Sequence, residues 1–441
     1  MRSILNYTNV SQNDSPMRIL QVGKFYPVVG GVEKVMYDLM TGLSAEGVRC
    51  DMMCAALEGP TRVEKVNENA VLILCRTLFK MASTMISPAM IFQLRRRCRS
   101  YDILHIHHPD PMAALALRLS GYRGQVVLHW HSDILKQQFL LRFFKPLQNW
   151  LIHRADRIVG TTKYYLEKSP FLAGASDKFV PLHIGIDPVI PEEVDVDAVR
   201  NRYPGRKIVF SLGRLVEYKG FSYLVDAAEF LPDDYLVLIG GTGPLEEELK
   251  SRIVSRGLQD KVMLLGRVAD EDLPAYYGAS SVFVLSSIQK TEAFGIVQIE
   301  AMSCGTPVVA TKIPGSGVSK VNADGISGIN VDTRDARGIA SAIMSIAGDR
   351  NRQRIYSQGA LERFSRFFTK ERMISNCLGI YNSLINSDNN ARRVTEDCRG
   401  PGGGSGPCRK RYEEDDGYFR QRSRADSPVA GVLGNMGSHQ A

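Results

Sequence analysis

Short apolar runs alternate along this chain with longer stretches in which apolar positions recur every three or four residues. The runs read as buried strands and the periodic stretches as helices packed by one face. Arg18–Val22 predicts a strand, followed by a glycine loop and a helix over Glu33–Leu43. Val48–Ala55, Ala70–Cys75, Ile103–His107, Val126–Trp130 and Arg157–Thr161 predict further strands, with a helix at Met112–Leu119. The pattern then restarts. Lys207–Leu212, Tyr235–Ile239, Val262–Leu265, Val282–Leu285 and Pro307–Thr311 read as strands, and Phe221–Phe230 and Leu245–Ser255 as helices. Ile339–Ala347, Arg352–Phe364 and Lys370–Ile385 are also helical in pattern. This is the βαβ rhythm of an α/β protein with a parallel, doubly wound sheet, met twice in series. Two such units imply a cleft between them, with Pro181–Pro191, rich in Pro, Gly and Asp, as the linker.

The 441 residues suffice for two or three domains with cores of their own. Hydrophobic content of 44% and charged content of 23% are those of a soluble globular protein. A net charge of +8 favours anionic partners: phosphates, nucleic acid or an acidic membrane surface. The eight cysteines show no C-x-x-C pairing, which suits a reducing cytosol rather than a disulfide framework or a zinc site. Met1–Pro16 is polar and lacks an apolar signal core. No apolar run approaches the roughly 18 residues of a spanning helix, so a cytoplasmic location is expected. From Asn386 the composition turns to Gly, Ser, Arg, Asp and Pro, which reads as a disordered tail. Its aromatic and basic residues are interrupted by the acids Glu413–Asp416, so no nucleic-acid partner is expected.

Candidate chemistry gathers in the second half. Glu292 and Glu300 flank the string Ala293–Phe294–Gly295–Ile296, and the helix beginning at Ile296 is stopped by Gly305–Thr306–Pro307. Two acids at a loop–helix boundary can grip different parts of one elongated, hydroxyl-rich ligand, or be two solvated glutamates beside a core helix. Ser211–Gly220 follows a strand; Gly213 and Gly220 allow tight turns, and Arg214 and Lys219 can converge on one phosphate pair. Taken alone, that segment is equally an exposed basic turn. Gly240–Gly241–Thr242–Gly243 is a further glycine turn between strand and helix, supporting evidence only. Near the N-terminus, Gly30 and Gly31 open a helix whose start favours an anion. The full G-x-G-x-x-G spacing is missing there, which disfavours a dinucleotide site. Histidines cluster at two strand ends: His105, His107 and His108, then His129 and His131 with Asp133. Two apolar and basic stretches, Phe79–Arg99 and Ile134–Arg157, suit an anionic membrane surface or ordinary helices with solvated cations. In the second, Pro146 is expected to break the helix.

Together these segments, from about Met17 to Ile385, resemble glycosyltransferase family 4, retaining enzymes of the GT-B fold. The fold so implied is two Rossmann-like doubly wound domains facing across a cleft. Glu292–Glu300 is similar to the family's E-x7-E signature, and Gly213–Gly220 to its diphosphate-binding G-R-x4-K-G pattern. The resemblance implies an acceptor-side domain over 17–183 after a flexible 1–16, and a nucleotide-sugar domain over 184–368. A C-terminal helix over 369–387 would pack back towards the N-domain, before a disordered 388–441. It implies that Arg214 and Lys219 hold the diphosphate, that Glu300 accepts the ribose hydroxyls, and that Glu292 lies near the sugar. Ala293, Phe294 and Gly295 would offer backbone N–H groups, while Gly30, Gly31, Gly213, Gly241 and Gly243 would line the donor. His131 would reach the donor sugar, and His108 and Asp110 the acceptor. The catalytic set is then His131, Glu292, Arg214 and Lys219, with no divalent metal or other cofactor. His129–Asp133 and Lys290–Gly295 look like bacterial mannosyl- or rhamnosyltransferases of surface polysaccharide assembly, including lipopolysaccharide, and point to GDP-mannose. The acceptor expected is a saccharide or lipid-linked saccharide, met peripherally at the inner face of a membrane. One departure is His183 before Gly185, where the family commonly has Asn before Gly.

Two other readings compete. His129-x-His131-x-Asp133 is the run of a metal-dependent hydrolase, though no downstream His/Asp set of suitable spacing accompanies it. A non-catalytic sugar-nucleotide binder would keep Arg214, Lys219 and Glu300 without a usable acceptor face.

Overall fold

In the computed structural model, residues 17–28, 30–81, 84–134 and 138–397 are described. The tail beyond 397 and the segment 1–16 lie outside them, as do the expectations placed there. Strands β1 (Arg18–Tyr26), β2 (Arg49–Ala56), β3 (Arg62–Asn67), β4 (Ala70–Arg76), β5 (Phe79–Met81), β6 (Thr84–Ile86), β7 (Ile103–His108), β8 (Gln125–Trp130), β9 (Arg157–Gly160) and β10 (Phe179–Pro181) belong to the N-terminal lobe. Strands β11 (Lys207–Leu212), β12 (Tyr235–Gly240), β13 (Val262–Gly266), β14 (Val282–Leu285), β15 (Val308–Thr311) and β16 (Gly328–Val331) form the C-terminal lobe.

The N-terminal sheet runs β10-β9-β8-β7-β1-β2-β4-β3, parallel except for the edge strand β3. The C-terminal sheet runs β13-β12-β11-β14-β15-β16, all parallel. Each sheet thus reverses its strand order beside its own first strand, between β1 and β7 and between β11 and β14. Ligands of doubly wound sheets bind at that reversal, beyond the carboxyl ends of the strands. The two Rossmann-like sheets are built on the strands the sequence rhythm predicts, with β3, β10 and β16 added at their edges. Their strands are Val-, Ile- and Leu-rich because both faces are covered by helices, so β12 and β14 are buried throughout.

The lobes are joined twice. The chain passes from β10 into the linker after Pro181, and it returns at Phe368–Lys370, where Ile186 and Thr369 bridge. Ile186 N–H donates to Phe368 O (2.9 Å) and Lys370 N–H to Ile186 O (2.9 Å). A β-carbon on Gly185 would lie 2.2 Å from Thr369 O, so only glycine fits the crossing. His183, beside it, donates from Nδ1 to Thr161 O at 2.6 Å.

Two expectations are corrected. The helix Gln138–Arg154 runs through Pro146 without a break. Phe144 and Leu151 are buried on either side of it, and this packing outweighs one missing hydrogen bond. The last helix, expected to end at 387, continues to Asp397. Residues 386–397 are polar but contain neither Gly nor Pro, and extending a formed helix is far easier than nucleating one.

Candidate functional site

Four loops leave the carboxyl ends of β11, β12, β13 and β14 on one edge of the C-terminal sheet. The first, Gly213–Gly220, carries Arg214 and Lys219. Lys219 lies across Gly213, its Cε 3.4 Å from where a β-carbon would stand. Gly220 has φ +66°, and a β-carbon there would meet Ser286 O at 2.3 Å. The loop is therefore pressed against the one that follows β14. That second loop holds Glu292, whose Oε2 accepts from Lys219 Nζ at 2.5 Å and from Ser287 Oγ at 3.0 Å. The pair is largely buried, which strengthens the attraction and makes loss of either partner costly.

Arg214 makes no ion pair among the described residues. With Gly241, Thr242, Gly243, Arg267 and Val268 it lines a cavity of about 540 Å³. Gly241 and Gly243 are dictated by space: β-carbons would lie 1.9 Å from Gly213 O and 2.4 Å from Leu215 O. Two guanidiniums that make no ion pair among the described residues, set beside glycine turns, make this cavity suited to an anion. Arg267 is not among the residues the sequence singles out, and no local pattern there announces a charged wall.

The helix Ile296–Ser303 starts at Gly295, with φ +75°, and carries Glu300. Glu300 Oε2 accepts from Tyr277 Oη at 2.7 Å. Burial raises the pKa of Glu300, the Tyr277 hydrogen bond opposes this, and nearby Asp270 adds to it. Asp270 follows the Arg267–Val268 wall, so Glu300 closes the far end of the same loop set. Ala293 O accepts from Gly317 N–H (3.0 Å), and Phe294 is buried edge-on to Phe368. Tyr277 comes from a separate helix, and no local pattern marks it as Glu300's partner.

The N-terminal lobe faces this set closely. A β-carbon on Gly31 would meet Ile296 Cδ1 at 3.2 Å, and Gly30 stands at the N-cap of the helix Gly31–Ala45. Asp133, the carboxylate of the His129-x-His131-x-Asp133 run, is committed elsewhere: Oδ1 accepts from Trp130 Nε1 (2.8 Å) and Ser169 Oγ (2.7 Å), and Oδ2 from Lys290 Nζ (2.6 Å). His131 is buried with Nε2 2.9 Å from His107 Nδ1. Burial, with neighbouring imidazoles, holds its pKa well below the ordinary value, so it is neutral. Nitrogens of His105, His107 and His129 lie within 4.8 Å of one another. The His105–His107 and His105–His129 rings stack, at 15° and 22° between planes, and the His107–His129 pair is tilted at 33°.

His108 and Asp110, expected on the acceptor side, have packing roles. His108 is buried and stacks on Trp130 at 3.7 Å between centroids. Asp110 caps the helix Pro111–Ser120, accepting from Met112 N–H (2.9 Å) and Ala113 N–H (3.1 Å), and it also accepts from Lys24 N–H.

Fold and loop set together define the class: a GT-B glycosyltransferase. Residues 195–363 match the family model described as glycosyl transferases group 1, and residues 29–189 match that described as glycosyltransferase family 4. Among curated proteins the chain is similar to O-antigen chain mannosyltransferase C of Escherichia coli, 30% identical over 379 residues, covering 84% of this chain and 100% of the relative. It is also similar to D-rhamnosyltransferase WbpZ of Pseudomonas aeruginosa, 29% identical over 358 residues, covering 80% and 92%. Among solved structures, Anabaena Alr3699/HepE in complex with UDP and glucose superposes with a TM-score of 0.66 at 19% identity, covering 83% of this chain and 100% of that one. The chain belongs to glycosyltransferase family 4, and its relatives include mannosyl- and rhamnosyltransferases of polysaccharide biosynthesis.

Proposed function

We propose that this glycosyltransferase moves mannose, with retention of anomeric configuration, from GDP-mannose to a saccharide or lipid-linked saccharide in surface polysaccharide assembly. The observation that carries the donor side is the Lys219–Glu292 pair, 2.5 Å apart, beside the unpaired Arg214. As the bond from the anomeric carbon to the diphosphate oxygen breaks, negative charge grows on the leaving group. Arg214 and Lys219 are placed to take it up, without a divalent metal. Glu300, at the far end of the loops, suits the vicinal hydroxyls of a ribose, and Glu292 a sugar hydroxyl. In this reading the neutral His131, just beyond β8, reaches the donor sugar from the N-terminal lobe, and closure of the cleft excludes water. The names of the relatives, a mannosyltransferase acting on O-antigen chain among them, support the choice of sugar and pathway class. The protein would work in the cytoplasm, peripherally on the membrane that carries its acceptor.

Incubating the pure protein with a panel of nucleotide-diphosphate sugars and mannosyl-terminated acceptors tests this, with product detected by mass spectrometry and its anomeric configuration by NMR. Transfer from GDP-mannose that persists in EDTA is expected. An inverted product, or transfer that stops with chelation, would overturn the corresponding part. The hydrolase reading loses its carboxylate, since Asp133 already holds three hydrogen-bond donors.

A further inference from the structure

Strands β1, β7 and β8 lie side by side, with Gln21 opposite His105 and His107 opposite His129. The strand period of two places these four polar groups on one face of the sheet. All are buried, and the helix Lys370–Asp397 covers them with Tyr381, itself fully buried. Gln21, His105 and His107 enter hydrogen bonds there, whereas His105 Nε2 and both ring nitrogens of His129 have no partner among the described residues; an unmatched buried group costs about 1–3 kcal/mol, so the bonds that do form constrain donor and acceptor.

The pairing forms a continuous chain. His131 Nε2 lies 2.9 Å from His107 Nδ1, and His107 Nε2 lies 2.5 Å from Gln21 Oε1. Gln21 Nε2 is 3.5 Å from Tyr381 Oη, which is 2.5 Å from His105 Nδ1. A neutral imidazole has one N–H and one lone pair. Gln21 presents its carbonyl oxygen to His107, so His107 Nε2 carries the hydrogen and Nδ1 the lone pair. His131 must then donate from Nε2, which leaves its Nδ1 bare. At the other end Gln21 Nε2–H donates to Tyr381 Oη and to Cys50 Sγ (3.7 Å), and the Tyr381 hydroxyl donates to His105. Every link has one donor and one acceptor. His131 Nδ1 makes no hydrogen bond among the described residues, and His131 stands just beyond the carboxyl end of β8, the side on which doubly wound sheets bind ligands.

We propose that Gln21 and His107 are positioning residues that fix His131 with a bare Nδ1, so that it accepts a hydrogen bond from a substrate hydroxyl and does not donate to a phosphate oxygen. The inference rests on the glycosyltransferase reading for the identity of the hydroxyl, that of the donor sugar or the acceptor. Its structural half stands apart from that reading. Burial keeps His107 and His131 well below their ordinary pKa, in keeping with neutral rings throughout the chain.

Turning the Gln21 amide over would reverse every link and give His131 an Nδ1–H, so the two polarities are experimentally distinct. Nitrogen NMR of the full-length protein with labelled histidine reads the tautomer directly. His131 protonated at Nε2 is expected, and protonation at Nδ1 would overturn the proposal. Gln21→Met removes the acceptor at similar volume. It should mix the His131 tautomers and lower kcat roughly five- to tenfold, the scale of one net hydrogen bond. Affinity for free GDP by calorimetry should be unchanged, because the nucleotide loops lie in the other lobe. Gln21→Glu keeps the acceptor and should retain the Nε2–H tautomer. Wild-type kcat in a folded Gln21→Met protein would sink the positioning role. The expected tautomer in a protein that transfers no sugar would count against the transferase reading alone.

Discussion

Lys290, on the loop after β14, places Nζ 2.6 Å from Asp133 Oδ2 on the opposite lobe, with side chains 14% and 0% exposed. The same ammonium donates to Lys168 O (2.9 Å) and lies over the Tyr165 ring at 4.8 Å. One cation thus ties the loop after β14 to the N-terminal lobe, two residues before Glu292. Lys290→Met would leave a buried carboxylate without its counter-charge. A loss of about 3 kcal/mol is expected in denaturant unfolding, the lower end for a broken buried pair because Trp130 and Ser169 still donate to Asp133. Asp133→Asn combined with Lys290→Met should recover part of that loss. Strictly additive effects in the double variant would show that the two residues are not coupled.

Lys219→Ala should lower kcat/KM roughly 10²–10³-fold, as expected when a donor to developing charge is removed. Glu292 would keep its Ser287 hydrogen bond but lose its counter-charge, so a lower melting temperature is expected with the folded circular-dichroism spectrum retained. A variant that transfers sugar at the parental rate would remove Lys219 from the donor site.

Much of this was legible because it rests on local chemistry. The strand rhythm marks most strands of both sheets, and Gly220, Gly241 and Gly243 stand where turns leave no room for a β-carbon. The hydrogen-bond partners were not legible. Tyr277 reaches Glu300, and Tyr381 reaches His105, from helices distant in sequence, and periodicity reports only which face of a helix is buried. Asp133 shows the converse error. Its spacing from His129 and His131 suggests a metal site, but β8 ends at Trp130, and the chain beyond it turns Asp133 towards Lys290.

Glu300 ties stability to pH. Burial raises its pKa above the ordinary 4.5, so the folded state holds this proton at pH values where the unfolded chain has lost it. The sign follows: its ionisation weakens the fold as pH rises from about 4.5 through the raised folded value, and the penalty is constant above it. Glu300→Gln removes that penalty. The melting temperature of the ligand-free variant should therefore gain on the parent between pH 4 and neutrality, whereas GDP affinity should fall because a carboxylate accepts hydroxyl hydrogen bonds more strongly than an amide. A melting-temperature difference that is flat across this range would place Glu300 in an ordinary solvated setting.

The surface of the N-terminal lobe gives a membrane prediction. On the helix Pro88–Arg97 and the turn after it, Met90, Leu94 and Cys98 are buried, while Phe92, Arg95, Arg96 and Arg99 are exposed at the opposite helical spacing. Phe92 is 72% exposed, and the preceding β5 leaves Phe79 and Met81 exposed on either side of Lys80. Apolar side chains among arginines that make no ion pair among the described residues match the chemistry of an anionic bilayer surface, where each cation contributes about 1 kcal/mol at low salt. Replacing both Arg95 and Arg96 by serine should therefore weaken partition onto vesicles containing anionic phospholipid roughly thirtyfold, by about 2 kcal/mol. Binding should also fall with salt, because the Debye length shrinks to about 8 Å at physiological ionic strength. Phe92→Ser should weaken binding in a way that salt does not mimic. Vesicles of neutral lipid separate the two contributions: the arginine variant should match the parent there, and the Phe92 variant should not. Equal sedimentation of all three proteins with anionic vesicles would assign this face to ordinary solvent exposure.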